Sequence, residues 1–157
     1  MNPVCKFIQF IKELTDDEFC YYLGYIPSTI YFKNGGCYEL VKTLKYFLPE
    51  GEIYLAHDSE QYIDHCALFY KGILYDIDGV INNNNLFHAV DKTDMEYLDD
   101  ESFYGRNEIK FEKKQPSEAL IEEIKKCKIE YIIEACKNMD DNPDYYSQKK
   151  LVKSNLK

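Results

Sequence analysis

The sequence predicts a single α+β domain in which helices pack on an antiparallel sheet. Two segments in the first third of the chain and one near its end repeat apolar residues at helical spacing. Between them, residues 52–80 hold three short segments rich in β-branched and aromatic residues. A chain of 157 residues is long enough for one core of ordinary size. We therefore expect one domain over residues 1–138, followed by a polar, lysine-rich tail over residues 139–157.

The first third of the chain is predicted to be mainly helical. Pro3 suits the first turn of a helix over residues 3–13, whose apolar face would consist of Val4, Phe7, Ile8, Ile11 and Leu14. The segment "TDDE" at Thr15–Glu18 is typical of a capping box, so a second short helix is expected through "EFCYYLGY". A third helix follows Gly35-Gly36 and ends before Pro49, with an apolar stripe of Cys37, Leu40, Val41, Leu44, Phe47 and Leu48.

Strands are predicted at "EIYLAHD" (52–58), "YIDHCALFY" (62–70) and "GILYDIDGV" (72–80). Lys71-Gly72 suits a two-residue hairpin turn between the last two. Further short strands are expected at "LFHAV" (86–90) and "NEIKFE" (107–112). One long helix should then run from Pro116 to about Asn138, with inward residues Leu120, Ile121, Ile124, Cys127, Tyr131, Ile132 and Ala135.

Composition and charge exclude several functions. The formal net charge of −9, with Arg106 as the single arginine, disfavours a nucleic-acid-binding surface. No apolar run approaches the ~20 residues of a membrane span, and no secretory signal is recognisable, so we expect a cytoplasmic protein. The six cysteines are scattered and form no C-x-x-C pair, which favours reduced thiols over disulfides or a zinc site. Nothing in the spacing of His57, His65 and the nearby aspartates requires a metal.

The hairpin brings a histidine and carboxylates together. If Lys71-Gly72 is the turn, Tyr70 pairs with Ile73, and the register continues so that His65 lies opposite Asp78. One face then carries His65, Ala67, Phe69, Leu74, Asp76 and Asp78, and the other carries Cys66, Leu68, Tyr70, Ile73, Tyr75 and Ile77. Polar groups beside an apolar layer are costly unless they are paired. We therefore expect His65 to hydrogen-bond one of the aspartates.

The third helix completes a candidate site. If this helix packs on the Ala67/Phe69/Leu74 face of the hairpin, its first residue, Cys37, lies toward the His65–Asp76 end. A thiol at a helix N-terminus beside an imidazolium is shifted toward the thiolate. A histidine held by a carboxylate can take the thiol proton and return it to a leaving group. The sequence thus predicts a Cys-His-Asp arrangement.

The segment "NGGCYELVKTL…DHCALFYKGILYDIDG", Asn34 to Gly79, resembles the papain-like and transglutaminase-like superfamily of cysteine enzymes, in particular its small bacterial or phage members. The resemblance rests on a Gly-Cys pair that opens a helix, then His on one strand and Asp on the next. It implies a papain-like core, in which a helix carrying the cysteine packs on an antiparallel sheet carrying His and Asp. The long C-terminal helix predicted from apolar periodicity would follow this core.

The same resemblance implies site residues and an activity. Cys37 matches the nucleophile, His65 the general base and acid, and Asp76 the residue that orients the imidazole, with Asp78 as its rival. Asn34 is the nearby amide for an oxyanion hole. The implied reaction is acyl transfer through a thioester, as in a peptidase, amidase, deamidase or transamidase. It needs no cofactor, and a protein or peptide substrate is expected because no phosphate loop or dinucleotide fingerprint occurs.

Two plainer interpretations stay open. Free cysteine is among the most buried residue types, so Cys37 alone could be a core residue and His65 a structural histidine. An acidic, tyrosine-rich chain of this size also suits a non-catalytic interaction protein or inhibitor, including one built on a retired enzyme scaffold. The hairpin register of His65 with the aspartates favours the enzyme.

Overall fold

The computed structural model describes residues 2–15, 32, 37–57, 63–82, 86–90, 102–104, 110–112 and 118–141. In this part of the chain the protein is α+β, with four helices and a five-stranded antiparallel sheet. The predicted second short helix, the residues Asn34 to Gly36 and most of the predicted C-terminal tail lie outside the described residues. None of the helices described is long and apolar enough to cross a membrane.

The first helix, α1, spans Pro3–Leu14 and confirms the N-terminal prediction. The side chain of Asn2 caps it by accepting from Val4 N at 2.7 Å and from Cys5 N at 3.3 Å, which satisfies two amides that lack intrahelical acceptors. Thr15 ends it, and its hydroxyl donates back to Ile11 O at 2.8 Å. The predicted apolar face is buried throughout: Val4, Phe7, Ile8, Ile11 and Leu14.

The second described helix, α2, spans Cys37–Phe47 and begins at the predicted cysteine. Leu40, Val41 and Leu44 are buried on its inner face, as is Leu48 directly after it. Pro49 lacks the N–H needed to extend the helix. The helix therefore presents the sulfur-bearing residue at its first position and a continuous apolar stripe behind it.

The main sheet has the strand order β4-β3-β2-β1-β5. Its strands are β1 Glu52–His57, β2 Ile63–Tyr70, β3 Ile73–Asp76, β4 Gly79–Val80 and β5 Phe87–Ala89. The β2–β3 hairpin has the predicted register, with Tyr70 opposite Ile73. Lys71 and Gly72 have φ angles of 50° and 87°, the left-handed pair that a type I′ turn requires.

The predicted third strand over residues 72–80 is wrong in one respect, because it is two strands. β3 ends at Asp76, and β4 folds back on it so that Asp76 pairs with Gly79 and Tyr75 with Val80. Gly79 has a φ of 100°, which a glycine adopts without strain, and the Asp78 N–H donates to Asp76 Oδ1 at 2.8 Å within the turn. Asp78 consequently does not lie opposite His65, contrary to the predicted register.

The face on which α2 docks was also predicted wrongly. The main core, which contains Cys37 and the α2 stripe, includes Cys66, Leu68 and Tyr75 from the hairpin. The Ala67/Phe69/Leu74 face instead forms a separate cluster with Tyr54, Ala56 and Phe87. Both faces are apolar, so alternation within the hairpin could not decide between them. The side chains of α1, β1 and the C-terminal helices share the α2 core, and this larger burial explains the choice.

The predicted long C-terminal helix is two helices, α3 Glu118–Lys126 and α4 Glu130–Asn138. Lys128 between them has a left-handed φ of 53°, which a continuous α-helix excludes. The break changes the helical phase, so that Ile129 and Cys136 are buried whereas Cys127, Tyr131 and Ala135 are exposed. The inward orientation predicted for these last three residues is therefore wrong.

A two-stranded sheet pairs β6 Ser102–Tyr104 with β7 Lys110–Glu112. Strand β7 falls within the predicted strand at residues 107–112, whereas β6 was not predicted. Its segment mixes acidic and aromatic residues without the alternation that marks a half-buried strand.

The break between α3 and α4 can be tested by glycine substitution. Lys128→Gly should raise the free energy of unfolding by about 1 kcal/mol, because a left-handed backbone costs a non-glycine residue about 1–2 kcal/mol. Glu134→Gly, at an exposed site inside α4, should lower it by about 1 kcal/mol. Urea denaturation measures both. If the two variants are equally destabilised, residues 118–138 form one continuous helix and the break is wrong.

Candidate active site

The site forms where β3 leaves β2. The two strands pair from Tyr70 to Leu68, after which β3 turns into β4. Hydrogen-bonded pairs alternate along an antiparallel ladder, so Cys66 is the next β2 residue whose N–H faces the departed strand. That N–H donates to Cys37 Sγ at 3.3 Å. The sulfur at the start of α2 thus occupies the place in the ladder where a strand carbonyl would otherwise accept.

His65 approaches the same opening from the other face of the sheet. It lies opposite Ala56 on β1, which in turn lies opposite Phe87 on β5, so the three side chains form one row. The imidazole meets the Phe87 ring edge-on, with centroids 6.1 Å apart and planes at 68°. His65 Nε2 lies 2.9 Å from Asp76 Oδ2. The ring is also close enough to Cys37 for the two groups to shift each other's pKa.

The carboxylate of Asp76 is fixed at both oxygens. Oδ2 meets His65, and Oδ1 accepts the Asp78 N–H at 2.8 Å. The side chain of Asp78 points away to Lys12 on α1, with Asp78 Oδ1 3.1 Å from Lys12 Nζ. Of the two candidate aspartates, the geometry therefore brings Asp76 to the histidine and leaves Asp78 on the surface.

Hydrogen bonds to Cys37 favour its thiolate. Interaction with the Cys66 thiol, and then with His65 and the Cys66 N–H, holds the pKa of Cys37 well below its ordinary value, although burial opposes ionisation. The pKa of Cys66 is raised well above that value, because its proton is held by Cys37 and its surroundings are apolar. Cys136 shows what burial does without such donors, since its pKa rises to about 11.

His65 carries the matching positive charge. Burial lowers its pKa, but hydrogen bonds and attraction to Asp76 and Cys37 outweigh burial and raise the pKa to about 10. Its side chain is 24% exposed and that of Asp76 19%, so both groups are partly buried and still reach solvent. A thiolate–imidazolium pair backed by a carboxylate is the result. This arrangement can attack an electrophilic carbon and protonate a leaving group.

The structure leaves two of the sequence candidates unplaced. Asn34, the expected oxyanion donor, lies outside the described residues. So does the side chain of His57, which was considered together with His65 as a metal ligand. No group of three or more potential metal ligands occurs among the residues whose positions are described.

A family model described as Phage YunG-like protein matches residues 7–133 of the chain. The chain belongs to the Phage YunG-like family. The matched region contains Cys37, His65 and Asp76, and it includes the whole main sheet. No curated protein and no solved structure matched the chain.

Two residues of the site were not singled out from the sequence. Cys66 was assigned to the face of the hairpin opposite His65, and Phe87 to a short strand over residues 86–90 whose place in the sheet was not predicted. The sequence did contain a signal for Cys66, because this second cysteine directly follows the candidate histidine His65 and must therefore lie near the site. No local signal could have placed Phe87 there, since its position depends on β5 pairing with the far side of β1.

The two aspartates provide a matched test of the geometry. Asp76→Asn removes the charge beside His65 Nε2, so the pKa of His65 should fall from about 10 toward its ordinary value of 6.5. Asp78→Asn should leave it unchanged, because that carboxylate contacts Lys12 and the backbone N–H that holds Asp76 is retained. NMR titration of the histidine ring signals distinguishes the two. Equal shifts in both variants would contradict the assignment of Asp76.

Proposed function

We propose that this member of the Phage YunG-like family is a cysteine-dependent acyl-transfer enzyme of papain-like or transglutaminase-like type. The observation that carries the proposal is that a helix and two strands bring Cys37, His65 and Asp76 together. His65 Nε2 lies 2.9 Å from Asp76 Oδ2. Cys37 Sγ accepts the N–H of Cys66, the residue after His65, at 3.3 Å. The low pKa of the one thiol and the high pKa of the imidazole are what a nucleophile and its acid–base partner require.

In the first step, the Cys37 thiolate attacks the carbonyl carbon of an amide, and the carbonyl electrons move to oxygen. The backbone N–H of Cys37, in the first turn of α2, is the donor we assign to that oxyanion, since first-turn amides lack intrahelical acceptors. As the intermediate collapses, the His65 imidazolium gives its proton to the departing amine. A thioester on Cys37 and a neutral His65 remain.

In the second step, the neutral imidazole takes a proton from water or from an amine, which then attacks the thioester. Cys37 leaves as the thiolate and His65 again carries the proton, so the starting state is restored. Asp76 holds the ring in one orientation and keeps the imidazolium favourable during both steps. Attack by water corresponds to a peptidase, amidase or deamidase, and attack by an amine to a transamidase.

The proposed substrate is an amide or isopeptide bond of a protein or peptide. The buried Phe87 ring meets the His65 imidazole edge-on, and a cluster of buried apolar residues lies behind it, so the surroundings of the imidazole favour an uncharged amide over a polyanion. The net charge of −9 opposes a nucleic-acid substrate, because the phosphate backbone is also negatively charged.

The rival function is a non-catalytic acidic interaction protein, possible even on this scaffold when the thiol no longer reacts. The two functions differ in the state of Cys37. An interaction surface gains nothing from a buried thiolate, whose desolvation is unfavourable unless donors surround it. Thiol reactivity therefore separates them without knowledge of the substrate.

The first test is the pH dependence of iodoacetamide labelling at each cysteine. Trypsin places every cysteine in its own peptide, with Cys37 in residues 34–42 and Cys66 in residues 46–71. Cys37 should label rapidly well below the ~8.5 pKa of an ordinary thiol, and it should lose this advantage above pH 10, where His65 no longer carries its proton. His65→Ala should remove the labelling at low pH, because the imidazolium is lost.

Two thiols in the same molecule serve as controls for that experiment. Cys127 is exposed and reports on reagent access alone, whereas Cys136 is fully buried and reports on unfolding. If Cys37 labels no faster than Cys127, or only together with Cys136, it is a core residue. The enzyme would then be excluded and the interaction protein favoured.

The thioester intermediate can be sought with p-nitrophenyl acetate, a small activated ester. Mass spectrometry should find one acetyl group on Cys37, formed in a burst equal to the amount of protein. The Cys37→Ser variant should lose the burst, and Cys127→Ser should keep it, since that thiol lies on the turn between α3 and α4. In His65→Ala both formation and hydrolysis of the thioester should slow. Acetyl groups spread equally over Cys37 and Cys127 would contradict the proposal.

A further inference from the structure

We propose that Cys37 and Cys66 form a disulfide when the protein meets a peroxide, so that Cys66 is a resolving thiol built into the site. The proposal rests on the reactive Cys37 of the proposed function and adds a covalent partner to it. It makes the Cys37–Cys66 pair a site of reversible oxidative modification.

The two sulfurs lie in one buried layer. Cys37 opens α2, and alternation along β2 places the Cys66 side chain on the α2 side of the sheet, where its cross-strand neighbour Leu55 belongs to the same core. Cys37 Sγ lies 3.3 Å from Cys66 N, and both cysteines belong to the same buried cluster. Interaction with Cys37 is also the largest cause of the raised pKa of Cys66. Disulfides join residues whose Cα atoms are about 4.4–6.8 Å apart. Contact between one sulfur and the other residue's backbone is a separation of that order.

The two thiols are chemically unequal in the way that such a reaction needs. Cys37 is held as the thiolate by its donors, and the thiolate is the form that attacks a peroxide. Cys66 keeps its proton chiefly because its thiol is bonded to that thiolate, with burial adding to the effect. Once Cys37 becomes a neutral sulfenic acid, this hold on the Cys66 proton is lost, and Cys66 becomes the better nucleophile of the two.

The chemistry balances in two steps. The Cys37 thiolate attacks one oxygen of hydrogen peroxide, the O–O bond breaks, and the departing hydroxide takes the His65 proton to leave as water. Cys66 sulfur then attacks the Cys37 sulfenic acid, the S–O bond breaks, and the hydroxide leaves with the Cys66 proton as a second water. Two thiols are oxidised and one peroxide is reduced. Only Cys37, which is 8% exposed, needs to meet the oxidant, because Cys66 reacts across a contact that already exists.

The disulfide would both inactivate the proposed enzyme and protect Cys37 from further oxidation. A disulfide removes the nucleophile and its thiolate, so acyl transfer stops. It also prevents further oxidation of Cys37 to the sulfinic acid, which a thiol reductant does not reverse. Reduction of the disulfide restores both thiols.

The test treats the full chain with hydrogen peroxide, blocks free thiols, digests with trypsin and maps peptides without reduction. We expect residues 34–42 joined to residues 46–71, with labelling of Cys37 lost and then restored by dithiothreitol. In Cys66→Ser, the same treatment should leave Cys37 as a sulfenic acid trapped by dimedone and then as the sulfinic acid. Cys136→Ser, which removes a different buried thiol, should still form the Cys37–Cys66 bond.

The outcomes separate this proposal from the proposed function. Rapid labelling of untreated Cys37 combined with sulfinic acid but no disulfide in the wild type would overturn the resolving role alone. Disulfides spread over Cys5, Cys127 or between molecules would overturn it as well. Slow labelling of untreated Cys37 together with no disulfide would overturn both proposals. The wild-type peptide map decides the matter even if Cys66→Ser fails to fold.

Discussion

The candidate site depends on one feature of the sheet, which is the departure of β3 from β2 after Asp76. A two-residue turn sends the chain back along β3, and the N–H of Cys66 is left without a strand partner on that side. The sulfur of Cys37 accepts that N–H, while His65 reaches the same opening from the opposite face. The opening therefore lets a helix on one side of the sheet and an imidazole on the other meet at a single sulfur.

The same turn also fixes the third member of the site. Asp76 ends β3, and the Asp78 N–H within the turn holds its free oxygen, so the carboxylate faces His65 in one orientation. Gly79 permits the return of the chain with its positive φ. Lys12 on α1 holds the other aspartate on the surface. Orientation of the imidazole is thus a property of the turn as well as of the strand.

Charge balance explains why three ionisable groups persist in a largely apolar setting. A buried thiol usually keeps its proton, as Cys136 does, and a buried histidine usually loses its own. In the site the Cys37 thiolate and the His65 imidazolium stabilise each other's charge, and the Asp76 carboxylate stabilises the imidazolium as well. Cys66 adds an interaction with Cys37 that the sequence resemblance to cysteine enzymes did not imply. It is the link between the proposed catalysis and the proposed response to peroxide.

The sequence by itself determined the elements whose signals are local: α1, α2 and the Lys71-Gly72 turn. It also gave the candidates Cys37 and His65, with Asp76 and Asp78 as alternatives for the third residue. Hydrophobic periodicity, proline and glycine specify these elements within a few residues. Where two faces of an element were equally apolar, as in the β2–β3 hairpin, the sequence pattern could not decide which one packs against the helix. The docking face of α2, the choice of Asp76 over Asp78, the break at Lys128 and the approach of Phe87 all depend on contacts between residues far apart in the chain. Only the tertiary structure decides those, because burial is shared by several elements at once and no single segment records it.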